Sequence, residues 1–168
     1  MSFPYGPGIQ GLLPHDFTKE QVIGNLRVLM RLGFCKRIVE VIHGKAFMFR
    51  MQDGEVVMDE PSETQEERIL ESWDDGFYGT LTGDDWKVIA PEAASVFLPT
   101  DKDLFEQLSN VQGNPIYIDS IGNAVKRIIE VMDALNEEAN EEEYAHWNYI
   151  LDKFRSALEH SFVIAVSY

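Results

Sequence analysis

The chain has 168 residues, 45% of them hydrophobic, which is enough for one domain with a real core. Ten Phe, six Tyr and three Trp exclude a chain that stays unfolded. A net charge of −15, from 29 acidic and 14 basic residues, argues against a general nucleic-acid binder and against an anionic membrane surface as partner.

The N-terminus lacks a basic stretch followed by an apolar one, so it does not read as a signal peptide, and no apolar run approaches a membrane span. A cytoplasmic protein is the simplest expectation. Pro4, Pro7 and Pro14, with Gly6, Gly8 and Gly11 among them, predict an irregular lead-in over residues 1–14. Thr18 then reads as a helix N-cap, with Gln21 completing a capping box, and Val22, Leu26, Leu29 and Met30 follow at helical spacing up to Gly33. Beyond it the period shortens. Three β-rich runs, 37–42, 46–51 and 55–58, are separated by His43-Gly44 and Asp53-Gly54, which predicts an antiparallel meander.

Ser62, with Gln65 three residues on, caps a short helix over 62–73. Runs 77–82 and 86–90 read as a hairpin turned at Gly83-Asp84-Asp85, and Thr100 or Asp101 as the cap of a helix reaching Leu108. A short strand is expected over 115–118. Ser120 caps a helix carrying Ile121, Val125, Ile128, Ile129, Met132 and Leu135. After a polar link, Tyr144, Trp147, Ile150, Leu151, Phe154, Leu158 and Phe162 mark a second one. Residues 162–166 alternatively leave that helix as a final strand. The expected fold is α+β: an antiparallel β-meander and hairpins with helices packed around it, and a long C-terminal αα-hairpin. The chain reads as a single domain, with a sub-boundary near residue 115 as the alternative.

Charge is not spread evenly. Residues 1–50 carry seven basic and three acidic side chains, while residues 51–75 carry one basic and ten acidic. The acids of this second segment run into aromatics, and two more acids follow. Glu63, Glu66, Glu67, Glu71, Trp73, Asp74, Asp75, Phe77, Tyr78, Asp84 and Asp85 are therefore the candidate partner-binding residues. Carboxylates steer the encounter with a basic protein, and aromatics supply desolvated anchors. The structural alternative is a solvated helix face beside core aromatics.

No motif for a phosphate loop, a dinucleotide fold, a serine nucleophile or a zinc protease is present, and no cofactor is implied. Glu143 and His146 have di-iron ligand spacing, but the motif occurs once where such a site needs two. Cys35, the single cysteine, excludes an intramolecular disulfide and a cysteine-based zinc site; it reads as a buried, inert thiol. The chain is expected to be non-enzymatic. It reads as an acidic binding protein that neutralises a basic protein partner by occlusion, in the manner of an immunity or antitoxin-type inhibitor of a nuclease or other cationic toxin. Three alternatives stand beside it. One is a phage-type DNA mimic that blocks a host enzyme. The second is a small metal-dependent hydrolase using Asp74, Asp75, Asp84 and Asp85. The third is a winged-helix-like regulator presenting Arg27 and Arg31 to DNA, with Lys36, Arg37, Lys45 and Arg50 edging the hairpin. A homodimer is compatible with the exposed edge of a meander.

Overall fold

A computed structural model describes residues 2–74, 79–109, 113 and 115–167. Nine strands form two sheets. β2 (Arg37–Ile42), β3 (Lys45–Gln52) and β4 (Glu55–Asp59) make the expected antiparallel meander. Its two turns carry positive φ at both central residues, His43 and Gly44 at 50° and 80°, Asp53 and Gly54 at 52° and 80°. These are the mirror-image turns that match strand twist, and they explain why His-Gly and Asp-Gly mark the hairpins so clearly.

The second sheet has six strands in the order β5-β1-β9-β6-β8-β7. They are β1 (Ser2–Pro7), β5 (Gly79–Thr82), β6 (Val96–Leu98), β7 (Phe105–Ser109), β8 (Pro115–Ser120) and β9 (Ile164–Val166). β6 and β8 run parallel, and the other described pairs of this sheet are antiparallel. Period-two alternation splits this sheet's side chains between two cores. Phe97, Ile164 and Val166 point into one, Val96, Leu98, Ile118 and Val163 into the other. The first core is covered by the C-terminal hairpin, α4 (Ile121–Ala134) and α5 (Glu141–His160), with α3 (Gly83–Ile89) beside it. The second is filled from α1 (Lys19–Arg31) and the meander. The fold is thus α+β, with the C-terminal helix pair in place. α2 (Glu63–Asp74) lies on the meander, its capping box formed between Ser62 and Gln65, and α1 carries the Thr18–Gln21 box.

Three expectations are corrected. The lead-in is not irregular over its first half, because β1 is an interior strand. It pairs with β5 over residues 2–5 and with β9 over residues 5–7, so each side is half used and two prolines fit where a fully paired strand would reject them. Residues 83–89 are helix, not the return strand of a hairpin. Thr82 Oγ1 accepts from the Asp85 N–H at 3.1 Å and Asp85 Oδ2 accepts from the Thr82 N–H at 3.0 Å, a capping box that turns the chain into α3. β5 pairs with β1 instead, and residues 77–78 of that expected hairpin lie outside the described residues. The helix expected from Thr100 to Leu108 is a loop followed by β7, whose alternating exposure fits pairing with β8. The strand alternative for residues 162–166 holds as β9. Ser161 ends α5 in the left-handed region at φ 62° and turns the chain back into the sheet.

The two sheets meet along the outer edge of β2. The Val39 N–H donates to Ser161 O at 2.9 Å, and Val39 bridges to Phe162. Glu40, fully buried, accepts from the Ile9 N–H at 3.0 Å and from Gln10 Nε2 at 3.3 Å through Oε1, while its Oε2 has no partner among the described residues. Burial, only partly opposed by these two hydrogen bonds, pushes the Glu40 carboxyl up to about 8. Between the ordinary 4.5 and 8, the unfolded chain loses this proton and the folded chain keeps it. Stability contributed by Glu40 therefore falls as pH rises through that window and is level above it. Glu40→Gln retains an oxygen for the Ile9 N–H and removes the titration. Its melting temperature relative to wild type should climb steadily from pH 5 to pH 8 in thermal melts, whereas a constant difference would refute the assignment.

Candidate functional site

α2 separates its acids by face. Glu66, Leu70 and Trp73 recur at i, i+4 and i+7 on the side that meets the meander, and Glu66 Oε2 accepts from the Ala46 N–H at 3.1 Å. Glu66 is therefore a structural acceptor more than a docking charge. Glu63, Glu67, Glu71 and Asp74 recur at i, i+4, i+8 and i+11, and all four are exposed. Successive members lie ~6 Å apart along the helix axis at the four-residue spacing. Among the described residues none of the four forms an ion pair; Lys45 and Arg50, the cations on the neighbouring strand, pair with Glu60 and Asp59. Glu67, Leu70, Glu71 and Asp74 line an open concavity of about 670 Å³, with half-buried Leu70 as its apolar floor.

This row works against its own helix. Like charges four residues apart cost ~0.2–0.5 kcal/mol per pair. Glu71 and Asp74 lie at the negative end of the helix dipole, and no basic residue occupies the last turn. Glu63, in the first turn, is favoured by the same dipole, and Arg68 lies three residues before Glu71, so the cost is concentrated at the C-terminal end of the row.

The remaining candidates divide differently. Trp73 is 5% exposed and meets the Phe162 ring edge-on at 5.1 Å, so it is core and not a surface anchor. Asp84 is exposed in the first turn of α3. Asp85 is 5% exposed; besides capping α3, its Oδ2 lies 2.9 Å from His146 Nε2 on α5. That contact joins two elements 61 residues apart and has no signature in the sequence. Asp75, Phe77 and Tyr78 lie outside the described residues.

The hairpin that would carry Asp84 and Asp85 toward Asp74 and Asp75 is not formed, because residues 83–89 are α3; Asp84 is exposed and Asp85 is engaged by Thr82 and His146. No cluster of three or more His, Cys, Asp or Glu side chains suited to a metal occurs among the described residues. Glu143 is exposed beside His146, whose Nε2 is turned to Asp85. No helix among the described residues is long and apolar enough to cross a membrane. Neither a protein-family model, nor a curated protein, nor a solved structure matches the chain.

What the sequence did not reveal is the partition of the acids. The signal was available in the i, i+4, i+7 run of Glu66, Leu70 and Trp73, which places Trp73 on the packed face. Trp73→Ala should behave as a core deletion, lowering stability by ~3–5 kcal/mol in denaturant unfolding. A variant as stable as wild type would return Trp73 to the list of surface anchors.

Proposed function

We propose that this chain is a non-enzymatic acidic binding protein that occupies a basic protein partner, in the manner of an immunity or antitoxin-type inhibitor of a nuclease or other cationic toxin. The observation that carries the reading is the exposed row Glu63, Glu67, Glu71 and Asp74, which forms no ion pair among the described residues and ends at the negative end of its helix dipole. A lysine or arginine from a partner has a seat there. Its aliphatic stem lies on Leu70, and its charged head meets Glu67, Glu71 and Asp74. The mechanism is occlusion: the carboxylates take the positions of the phosphates that the partner's basic surface is built to hold. Long-range attraction from a chain of net charge −15 speeds the encounter. The anchors are not those expected at first, because Trp73 is committed to the core and the row is edged by Leu70.

Affinity capture from cell extract at low salt, repeated at high salt, tests this directly. Wild type should retain a basic protein that salt releases. A variant carrying Glu63→Lys, Glu67→Lys, Glu71→Lys and Asp74→Lys should fold normally and retain it at least ~10-fold more weakly, mostly through slower association. Equal retention by the two proteins would remove α2 as the docking element.

A further inference from the structure

A second charged feature lies apart from α2. The turn between α1 and β2 (Gly33, Phe34, Cys35, Lys36, Arg37), the loop after β6 (Pro99, Thr100, Asp101, Lys102) and the end of α5 (Leu158, Ser161) enclose a cleft of about 400 Å³. Ligand pockets for small molecules start at about this size. Three of the fourteen cations of a strongly acidic chain, Lys36, Arg37 and Lys102, converge on it from two separate segments.

These cations are not consumed by the fold. None forms an ion pair among the described residues, and Arg37 Nε donates to Ser161 Oγ in a long hydrogen bond of 3.4 Å. They do not cap the nearby helix ends either. The Gly33 N–H donates to Met30 O, the Ser161 N–H to Leu158 O and the Phe162 N–H to Ala157 O. The opposing charges are Asp101 and the C-terminal ends of α1 and α5, each end about half a negative charge, so the cleft keeps roughly one net positive charge.

Its walls are mixed in a useful way. Phe34, Pro99, Leu158 and Cys35 supply apolar surface, and the Cys35 thiol, pushed up to about 12 by burial, stays neutral. The Lys102 charge opposes that shift in part. Thr100 Oγ1 accepts from the Lys102 N–H at 3.2 Å and Ser161 Oγ accepts from Arg37, so both hydroxyls retain a proton to donate.

We propose that this cleft is an anion-binding site for a small molecule carrying a phosphate group on an apolar body, with Lys36, Arg37 and Lys102 around the phosphate and Phe34, Pro99 and Leu158 against the body. A doubly charged oxyanion suits three convergent cations and two hydroxyl donors better than a carboxylate does. The site is independent of the α2 reading, and either can fail alone.

The test uses phenyl phosphate, with inorganic phosphate and phenol as its two halves, titrated at constant ionic strength and followed by amide chemical shifts of the full chain. Phenyl phosphate should give saturating shifts confined to residues 33–37, 99–102 and 158–161, and should bind more tightly than either half. Lys36→Ala and Lys102→Ala, whose side chains make no described bond, should each weaken it about threefold. Lys87→Ala on α3 should not. Shifts that fail to saturate, that scatter over the surface, or that survive both lysine variants unchanged would overturn the proposal.

Discussion

The arrangement of both charged surfaces depends on how the two sheets are joined. β2 lends its outer edge to residues 161–163, and the buried Glu40 carboxyl holds the chain after β1 by the Ile9 N–H. Gly8 sits in this joint at φ 81°, where an added Cβ would fall 2.3 Å from Glu40 Oε1 and 2.5 Å from the Trp73 ring. Only glycine permits so close an approach in that backbone conformation. The joint also fixes the last turn of α2, because Trp73 packs on Phe162 and Ser72 Oγ lies 3.1 Å from His160 Nε2. His160 Nδ1 is 2.7 Å from the Ser156 carbonyl oxygen, so that nitrogen carries a proton, and in the neutral ring Nε2 accepts from Ser72. One buried region therefore sets where the acidic row ends and where the end of α5 meets the basic cleft.

The elements that could be read from the sequence were those whose signals are local. Turn dipeptides marked the meander, capping boxes marked α1 and α2, and the 3.6-residue period marked α4 and α5. The elements that were missed take their shape from distant partners. β1 is a strand because β5 and β9, some 75 and 160 residues away, offer it edges, and its prolines conceal this locally. β7 lacks the apolar alternation of a well-marked strand and is held by β8. Gly83-Asp84-Asp85 serves equally as the turn into a strand over 86–90 and as the opening of a helix. The Thr82–Asp85 capping box decides between them.

The same contrast holds for the candidate site. The density of acids in residues 51–75 was plain from composition, but density does not say which carboxylates are free. Geometry gives Asp59 to Arg50, Glu60 to Lys45 and Glu66 to the Ala46 N–H, and leaves the row on the outer face of α2. The cleft was harder still. Lys36 and Arg37 were visible as the edge of a basic hairpin, yet Lys102 joins them only through the β6 loop, about 65 residues later.

The two surfaces also bear on one another through the end of α5. His160 reaches α2 through Ser72, and the next residue, Ser161, lines the cleft. An anion held by Lys36, Arg37 and Lys102 would cancel the positive charge of the cleft. At physiological salt, charges act over ~8 Å between exposed groups and farther through the protein interior. Filling the cleft would make the net charge more negative than −15 and so strengthen the long-range attraction for a basic partner, and a bound partner would in turn favour the anion. Such a coupling is reciprocal by linkage and, being electrostatic, needs no movement of the backbone.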